Sequence, residues 1–432
     1  MRLTIDKLVY GGEGLARVGE AEGRAKTIFV PFVLPGEEVE AQLVEQKKSF
    51  AHARLESVVT ASPERQAPPC PYFLRCGGCH YQHIDHPRQV EAKKVILLET
   101  LRRTGKIDWT KPIEAITGEP FHYRNRTRMR IHHTGRFEIG YYQYRSHKMI
   151  AVRECPISSP LINRILALLW TLGEAGELPP AIREVEYFAD ATDEKALLEL
   201  VLQAPPSAED KQRLSTFATR LMQEQPAVVG IAGFIQQGDA ADYGDPVWTQ
   251  GEKSLEYQTK TDRYRVSAGS FFQTNRFLSD ALVGLVTAGK EGGLALDLYA
   301  GTGLFALPLA RAFDQVIAVE ASPASFADLR VNATSNIKAV KSTTEEYLRQ
   351  HSGKHAPDLV VMDPPRAGLG EKVIPNLERS KAAELCYVSC DPATLARDLK
   401  ALVEAGYGID SIHLVDLFPQ TFHLETVVQL SR

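Results

Sequence analysis

Three short segments of this chain carry groups able to do covalent chemistry at a carbon centre. Tyr387-Val388-Ser389-Cys390 is an apolar run that ends in a thiol, and Asp391-Pro392 behind it has the form of a helix N-cap and first helical residue. The expectation is a thiol at a strand end beside a helix N-terminus, where the helix dipole and free N–H groups lower its pKa toward the nucleophilic thiolate. Asp363-Pro364-Pro365-Arg366 follows the apolar residues Leu359-Val360-Val361-Met362, so a carboxylate is held at a second strand end stiffened by two prolines. His423-Leu424-Glu425 opens a late strand, and Glu425 is a candidate base. Cys386, inside its strand, reads as a small buried apolar residue.

A thiolate paired with a base suits a particular reaction. Carbon C5 of a pyrimidine is not nucleophilic, but thiolate addition at C6 creates an enolate whose C5 attacks a methyl donor. A base then removes the C5 proton and the thiolate is eliminated. Methylation at nitrogen needs neither group, and an aromatic residue would be expected where Arg366 stands.

The methyl donor has its own signature. A predicted strand runs into Asp297-Leu298-Tyr299-Ala300-Gly301-Thr302-Gly303, where two glycines let backbone approach a ligand, and the next strand ends in Glu320, placed to accept both ribose hydroxyls of an adenosine. There is GxG but no third glycine for a pyrophosphate, which favours S-adenosylmethionine over a dinucleotide.

These segments need a scaffold that brings strand ends together. From about residue 276 the runs GLALDLYAG, DQVIAVE, IKAVKS, PDLVVMDPP and ELCYVSC alternate with helical stretches, as in a doubly wound parallel sheet whose ligands bind at the carboxyl edge. IDSIHLVDLF and LETVVQL are expected to add an antiparallel hairpin at one edge. Residues 1–62 hold short apolar runs separated by glycine turns, the pattern of a small antiparallel barrel. Residues 63–111 form a proline-rich, cysteine-bearing linker with an amphipathic helix from about 87 to 103, and residues 112–270 read as an α+β middle domain. Residues 271–432 are the α/β domain.

Cys70, Cys76 and Cys79, with Cys155 far downstream, are four thiols, the number that holds a cubane iron–sulfur cluster. His80, His83 and His86 leave zinc as the competing metal on spacing alone. The net charge of −4 excludes a general polyanion-binding coat, so nucleic-acid affinity must be local. Between Phe121 and Arg153 there are eight Lys or Arg and one acid, and Arg124, Arg126, Arg128 and Arg130 alternate, so one strand face is expected to meet phosphates. The N-terminus lacks a charged start followed by an apolar run, and no 18-residue apolar stretch occurs, so a cytoplasmic protein without membrane association is expected.

The segments Ser270-Phe271-Phe272-Gln273-Thr274-Asn275, Asp297 to Gly303, Asp363 to Arg366, Ser389 to Asp398 and His423-Leu424-Glu425 resemble the RNA 5-methyluridine methyltransferases that carry an N-terminal TRAM domain, particularly the bacterial 23S rRNA branch. The resemblance spans nearly the whole chain. It implies an OB-like TRAM barrel, an α+β middle domain that also binds RNA, and a class I methyltransferase domain. It further implies Cys390 as nucleophile, Glu425 as base, and Gln273, Tyr299, Gly301, Gly303, Glu320 and Asp363 around the cofactor and target base. All four linker and downstream cysteines match, which implies a [4Fe-4S] cluster with a structural or RNA-positioning role; zinc becomes the lesser alternative. A monomer acting on 23S rRNA is the expectation, with tRNA as the alternative RNA and a non-catalytic RNA-binding protein as the alternative class. A radical enzyme is disfavoured because it leaves one cluster iron open, needing three cysteines and not four. The chain departs from the family pattern at Leu304, often Asn, and around Ser342 and Thr343, where an acid or amide near the adenine is usual.

Overall fold

A computed structural model describes residues 1–19, 25–133, 135–235, 244–354 and 356–432. The N-terminal strands Arg2–Thr4, Lys7–Val9, Glu13–Gly19, Ala25–Pro31, Glu38–Gln46 and Phe50–Thr60 form one sheet in the order first, fifth, sixth, fourth, third, second. Its core is Leu3, Ile5, Ile28, Val30, Val33, Val39 and small alanines, the inward half of each alternating run. The expected all-antiparallel pattern fails at one place: the fourth and sixth strands pair in parallel from Thr27 to Phe29.

The linker helix His86–Thr100 starts where the Asp85 side chain accepts the Arg88 N–H at 2.9 Å, and a π-helical turn, Leu101–Gly105, ends it. The helix lies on the C-terminal domain. Lys93 on it is fully buried, its ammonium donating to the Asp416 carboxylate at 2.6 Å and to the Phe418 carbonyl at 3.0 Å, while His86 meets the other Asp416 oxygen at 2.7 Å. Breaking a buried pair from one side strands a charge, so Lys93→Met is expected to cost about 3–5 kcal/mol in denaturant unfolding. A loss within about 0.5 kcal/mol, the range of a neutral surface change, would contradict this clamp.

The middle region is a seven-stranded sheet ordered Met149–Ala151, Glu138–Tyr142, Arg126–His132, Ile182–Ala189, Ala196–Leu202, Val228–Ile235 and Trp248–Gly251. Helices Pro160–Glu174 and Ala208–Glu224, capped by Ser159 and Ser207, cover it. Here the arginine face is not the phosphate surface expected from its spacing. Strand Ile182–Ala189 sets Glu186 opposite Arg128 and Glu184 opposite Arg130. Arg126 is buried between Glu186 and Glu199, Arg128 meets Glu186 at 2.6 Å, and Arg130 meets Glu184 at 2.9 Å. The alternation was real, but its partners are acids with the same period on neighbouring strands.

The C-terminal sheet runs Ile337–Lys341, Phe313–Glu320, Gly292–Leu298, Leu359–Met362, Glu384–Ser389, Glu425–Ser431, Gly408–Val415 and Glu114–Ile116. The first five are parallel, and Glu425–Ser431 is antiparallel to both neighbours. The last two strands pair antiparallel as expected but do not form the edge of the sheet. Glu114–Ile116 pairs with Gly408–Val415 in parallel and forms the true edge. Among the described residues no helix is long and apolar enough to cross a membrane.

Candidate active site

The antiparallel strand decides which groups meet. Its first residues lie at the carboxyl edge of the parallel strands, and the register pairs Ser389 with Thr426. Cys390 and Glu425, each one residue further toward that edge, are thereby brought side by side from positions 35 residues apart. The strand order also reverses beside Gly292–Leu298, opening a crevice at the same edge.

A cavity of about 770 Å³ occupies this crevice. Gln273, Tyr299, Gly301, Glu320, Asp363, Cys390 and Glu425 all line it. So do Arg124, which spacing places on a phosphate-facing strand, Phe271 and His423, which stand in the family-like segments without an assigned role, and Phe418, which no pattern picked out. Gly301 has φ +55°, and a Cβ there would meet nothing within 4 Å, so its backbone is open to a ligand. Its N–H donates to Glu320 at 2.8 Å, and the other Glu320 oxygen accepts the Ser322 N–H at 2.6 Å. Gly303 is different. A Cβ on it would lie 2.9 Å from Leu307 and 3.0 Å from Leu329, so this glycine serves close packing and does not line the cavity.

The wall that carries Gln273 is held from the middle sheet. Glu199 accepts the Gly269 N–H at 2.9 Å, Arg126 donates to the Ser270 carbonyl, and Asp328 accepts from the Ser270 hydroxyl at 2.6 Å. The inward arginine network thus positions the loop. Leu304, at a position of departure from the family pattern, presents an apolar wall, and its carbonyl accepts from Tyr264 at 3.1 Å. Ser342 and Thr343 stay outside the cavity; the Thr343 side chain caps the helix Thr344–His351.

Electrostatics revise the thiol. Burial, then Glu425 and Asp363, push Cys390 up to about 12, against the partial relief of Arg366. The expected lowering by the helix N-terminus fails because Asp391 takes the N–H groups of Ala393 and Thr394, both at 2.9 Å, and adds its own charge. Glu425 is likewise raised well above an ordinary carboxylate by burial and by Asp363. Withdrawal from solvent lifts Asp363 from 3.8 to about 7. The folded protein keeps this proton where the unfolded chain releases it. The stabilisation is full below pH 3.8 and is lost as pH rises through about 7. Thermal unfolding of the ligand-free protein should show that fall, and Asp363→Asn should flatten it; an identical slope in the variant would contradict the assignment.

Cys70, Cys76, Cys79 and Cys155 converge on a second cavity, walled by Tyr72, Phe73, Tyr141 and Ile157. Burial raises the thiols of Cys70, Cys76 and Cys79, that of Cys76 to about 11. Among the described residues no three His, Cys, Asp or Glu groups are disposed to hold one metal ion. His80 and His83 lie off this cavity, held neutral by burial that lowers each to about 4, and His86 is bound to Asp416. Arg124 belongs to the walls of both cavities.

Residues 86–432 match the family described as tRNA (uracil-5-)-methyltransferase, and residues 1–55 match the TRAM domain. The chain belongs to the tRNA (uracil-5-)-methyltransferase family. An uncharacterized RNA methyltransferase of Aquifex aeolicus is 32% identical over 100% of this chain and 98% of its own. The 23S rRNA (uracil(1939)-C(5))-methyltransferase RlmD of Shewanella amazonensis is 32% identical over 98% and 94%. The crystal structure of Pyrococcus abyssi tRNA (uracil-54, C5)-methyltransferase, in complex with S-adenosyl-L-homocysteine, shares the fold with a TM-score of 0.75 at 24% identity, covering 100% of both chains. As a uracil-5-methyltransferase with a TRAM domain, the protein transfers methyl groups from S-adenosylmethionine to C5 of uridine in RNA.

Proposed function

We propose that the acceptor is a uridine of 23S rRNA and that Cys390 and Glu425 carry the reaction. The adjacency of these two groups, created by the antiparallel strand between the fifth strand and the sheet edge, carries the reading. The Cys390 thiolate adds to C6 and moves the electron pair onto C5 and O4 of the base. Bound S-adenosylmethionine supplies an electrophilic methyl group. Once C5 carries it, Glu425 takes the C5 proton, the C6–S bond breaks, and the thiolate is restored. By the time Glu425 acts as base the sulfur is bound to C6 and carries no charge, so burial and Asp363 are what still oppose its ionisation, against the relief of Arg366.

On this reading Glu320 receives the adenosine ribose, the open backbone at Gly301 and the side chains of Tyr299 and Gln273 flank the cofactor and target base, and Asp363 lies beside the reacting groups. Residues 1–62 and the middle sheet within 112–270 bind RNA, residues 63–111 link them, and residues 271–432, with the edge strand Glu114–Ile116 added from upstream, form the catalytic sheet. The full-length similarity to the Shewanella 23S rRNA enzyme favours rRNA over tRNA. Six unpaired cysteines suit a cytoplasmic setting. Purified enzyme given unmodified 23S rRNA, or unmodified tRNA, with methyl-labelled donor should label the rRNA. Label confined to tRNA would overturn the substrate assignment.

The four-cysteine cavity is proposed to hold a [4Fe-4S] cluster. Four thiols surround one space although no trio is set for a single ion, which suits a group several atoms across better than zinc. Anaerobically purified protein should show a broad visible absorbance that Cys76→Ser removes; stoichiometric zinc without that absorbance would refute the cluster.

A further inference from the structure

The N-terminal barrel touches the catalytic loop. Tyr10 follows the strand Lys7–Val9, and its hydroxyl donates to the Asp391 carboxylate at 3.1 Å. Its ring meets Phe422 edge-on at 5.4 Å, one residue from the cavity-lining His423. Two further contacts hold the barrel in this place. Lys7 pairs with Glu99 of the linker helix, and a Cβ at Gly12 would come within 2.9 Å of His80, so backbone there packs directly on that ring. The other Asp391 oxygen is held by the N–H groups of Ala393 and Thr394.

Asp391 is the residue after Cys390, and its charge adds to those of Glu425 and Asp363 in opposing the thiolate, with Arg366 on the favourable side. A donor on Asp391 draws its charge away from the sulfur and fixes the turn that aims the thiol. We propose that Tyr10 is a positioning residue for methyl transfer, through which the docked barrel holds Asp391 and sets the reactivity of Cys390. The barrel then contributes to the chemical step as well as to RNA affinity. Burial beside Asp391 pushes the Tyr10 phenol well up, so it remains a donor throughout the working range.

The inference rests on Cys390 as nucleophile, and its test separates the two. In the full-length protein, Tyr10→Phe keeps the ring against Phe422 and removes the hydroxyl alone. Carbamidomethylation of Cys390 by iodoacetamide, followed against pH by peptide mass spectrometry without RNA, should shift up by about one pH unit. The kcat should fall about tenfold with the KM for RNA within about twofold. Asp391→Asn keeps a good cap and removes the charge, so adding Tyr10→Phe to it should shift the alkylation profile little further, because no carboxylate charge is left for the hydroxyl to draw away. Unchanged alkylation and kcat would overturn the proposal, as would a raised KM with kcat intact, which assigns Tyr10 to RNA binding. If Cys390→Ala stays active, the nucleophile reading fails, whereas the alkylation profile still reports whether Tyr10 acts on the thiol.

Discussion

Cys390→Ala is expected to abolish methyl transfer, lowering kcat by a factor of at least about 10⁴, while RNA affinity changes by less than about twofold. Without the thiol there is no covalent route to a nucleophilic C5, and among the described residues no other thiol lines this cavity. Filter binding together with label transfer separates the two effects. Wild-type rates in the variant would remove the mechanism. The same thiol predicts how the wild-type rate responds to pH. With Cys390 pushed up to about 12, its thiolate fraction grows about tenfold for each pH unit below that value, so the rate should climb with alkalinity and not level off near neutrality. Ionised Glu425 and Asp363 oppose the thiolate, and Arg366 favours it; Arg366→Met should therefore push the rising limb to higher pH.

Glu425→Gln is the second large effect. Glutamine has nearly the same shape but cannot accept the C5 proton, so addition and methyl transfer proceed and elimination stalls. Turnover should fall by about 10²–10⁴, and a protein–RNA adduct should persist on denaturing gels. Absence of any adduct together with undiminished turnover would assign the base elsewhere.

The residues that line the cavity were legible because ligand sites lie where strands end, and apolar runs ending in Cys390, Asp363 and Gly301 mark those ends in the sequence. Their meeting was not. The adjacency of Cys390 and Glu425 depends on one strand entering the sheet antiparallel, between the fifth strand and Gly408–Val415, and a strand's neighbours are not written in its own pattern. The three-residue edge strand Glu114–Ile116 is too short to show a period. Charge was the least legible property. Arg126, Arg128 and Arg130 read as a basic face until Glu184, Glu186 and Glu199 arrive from strands some 60 residues away. The Cys390 thiol, read from its own segment as activated by a helix end, is surrounded by carboxylates from two other strand ends and by an N-cap that uses the N–H groups first. Tyr10 carried no signal, since only the docking of the barrel brings it to Asp391.

The most direct test of the central claim uses RNA in which the target uridine is replaced by 5-fluorouridine. Fluorine at C5 cannot leave as a proton does, so the wild-type enzyme with S-adenosylmethionine should halt as a methylated covalent adduct. Digestion and mass spectrometry should place the nucleotide on the Cys390 peptide. An adduct on any other residue, or methylation of normal RNA with no adduct from the fluorinated one, would contradict the account.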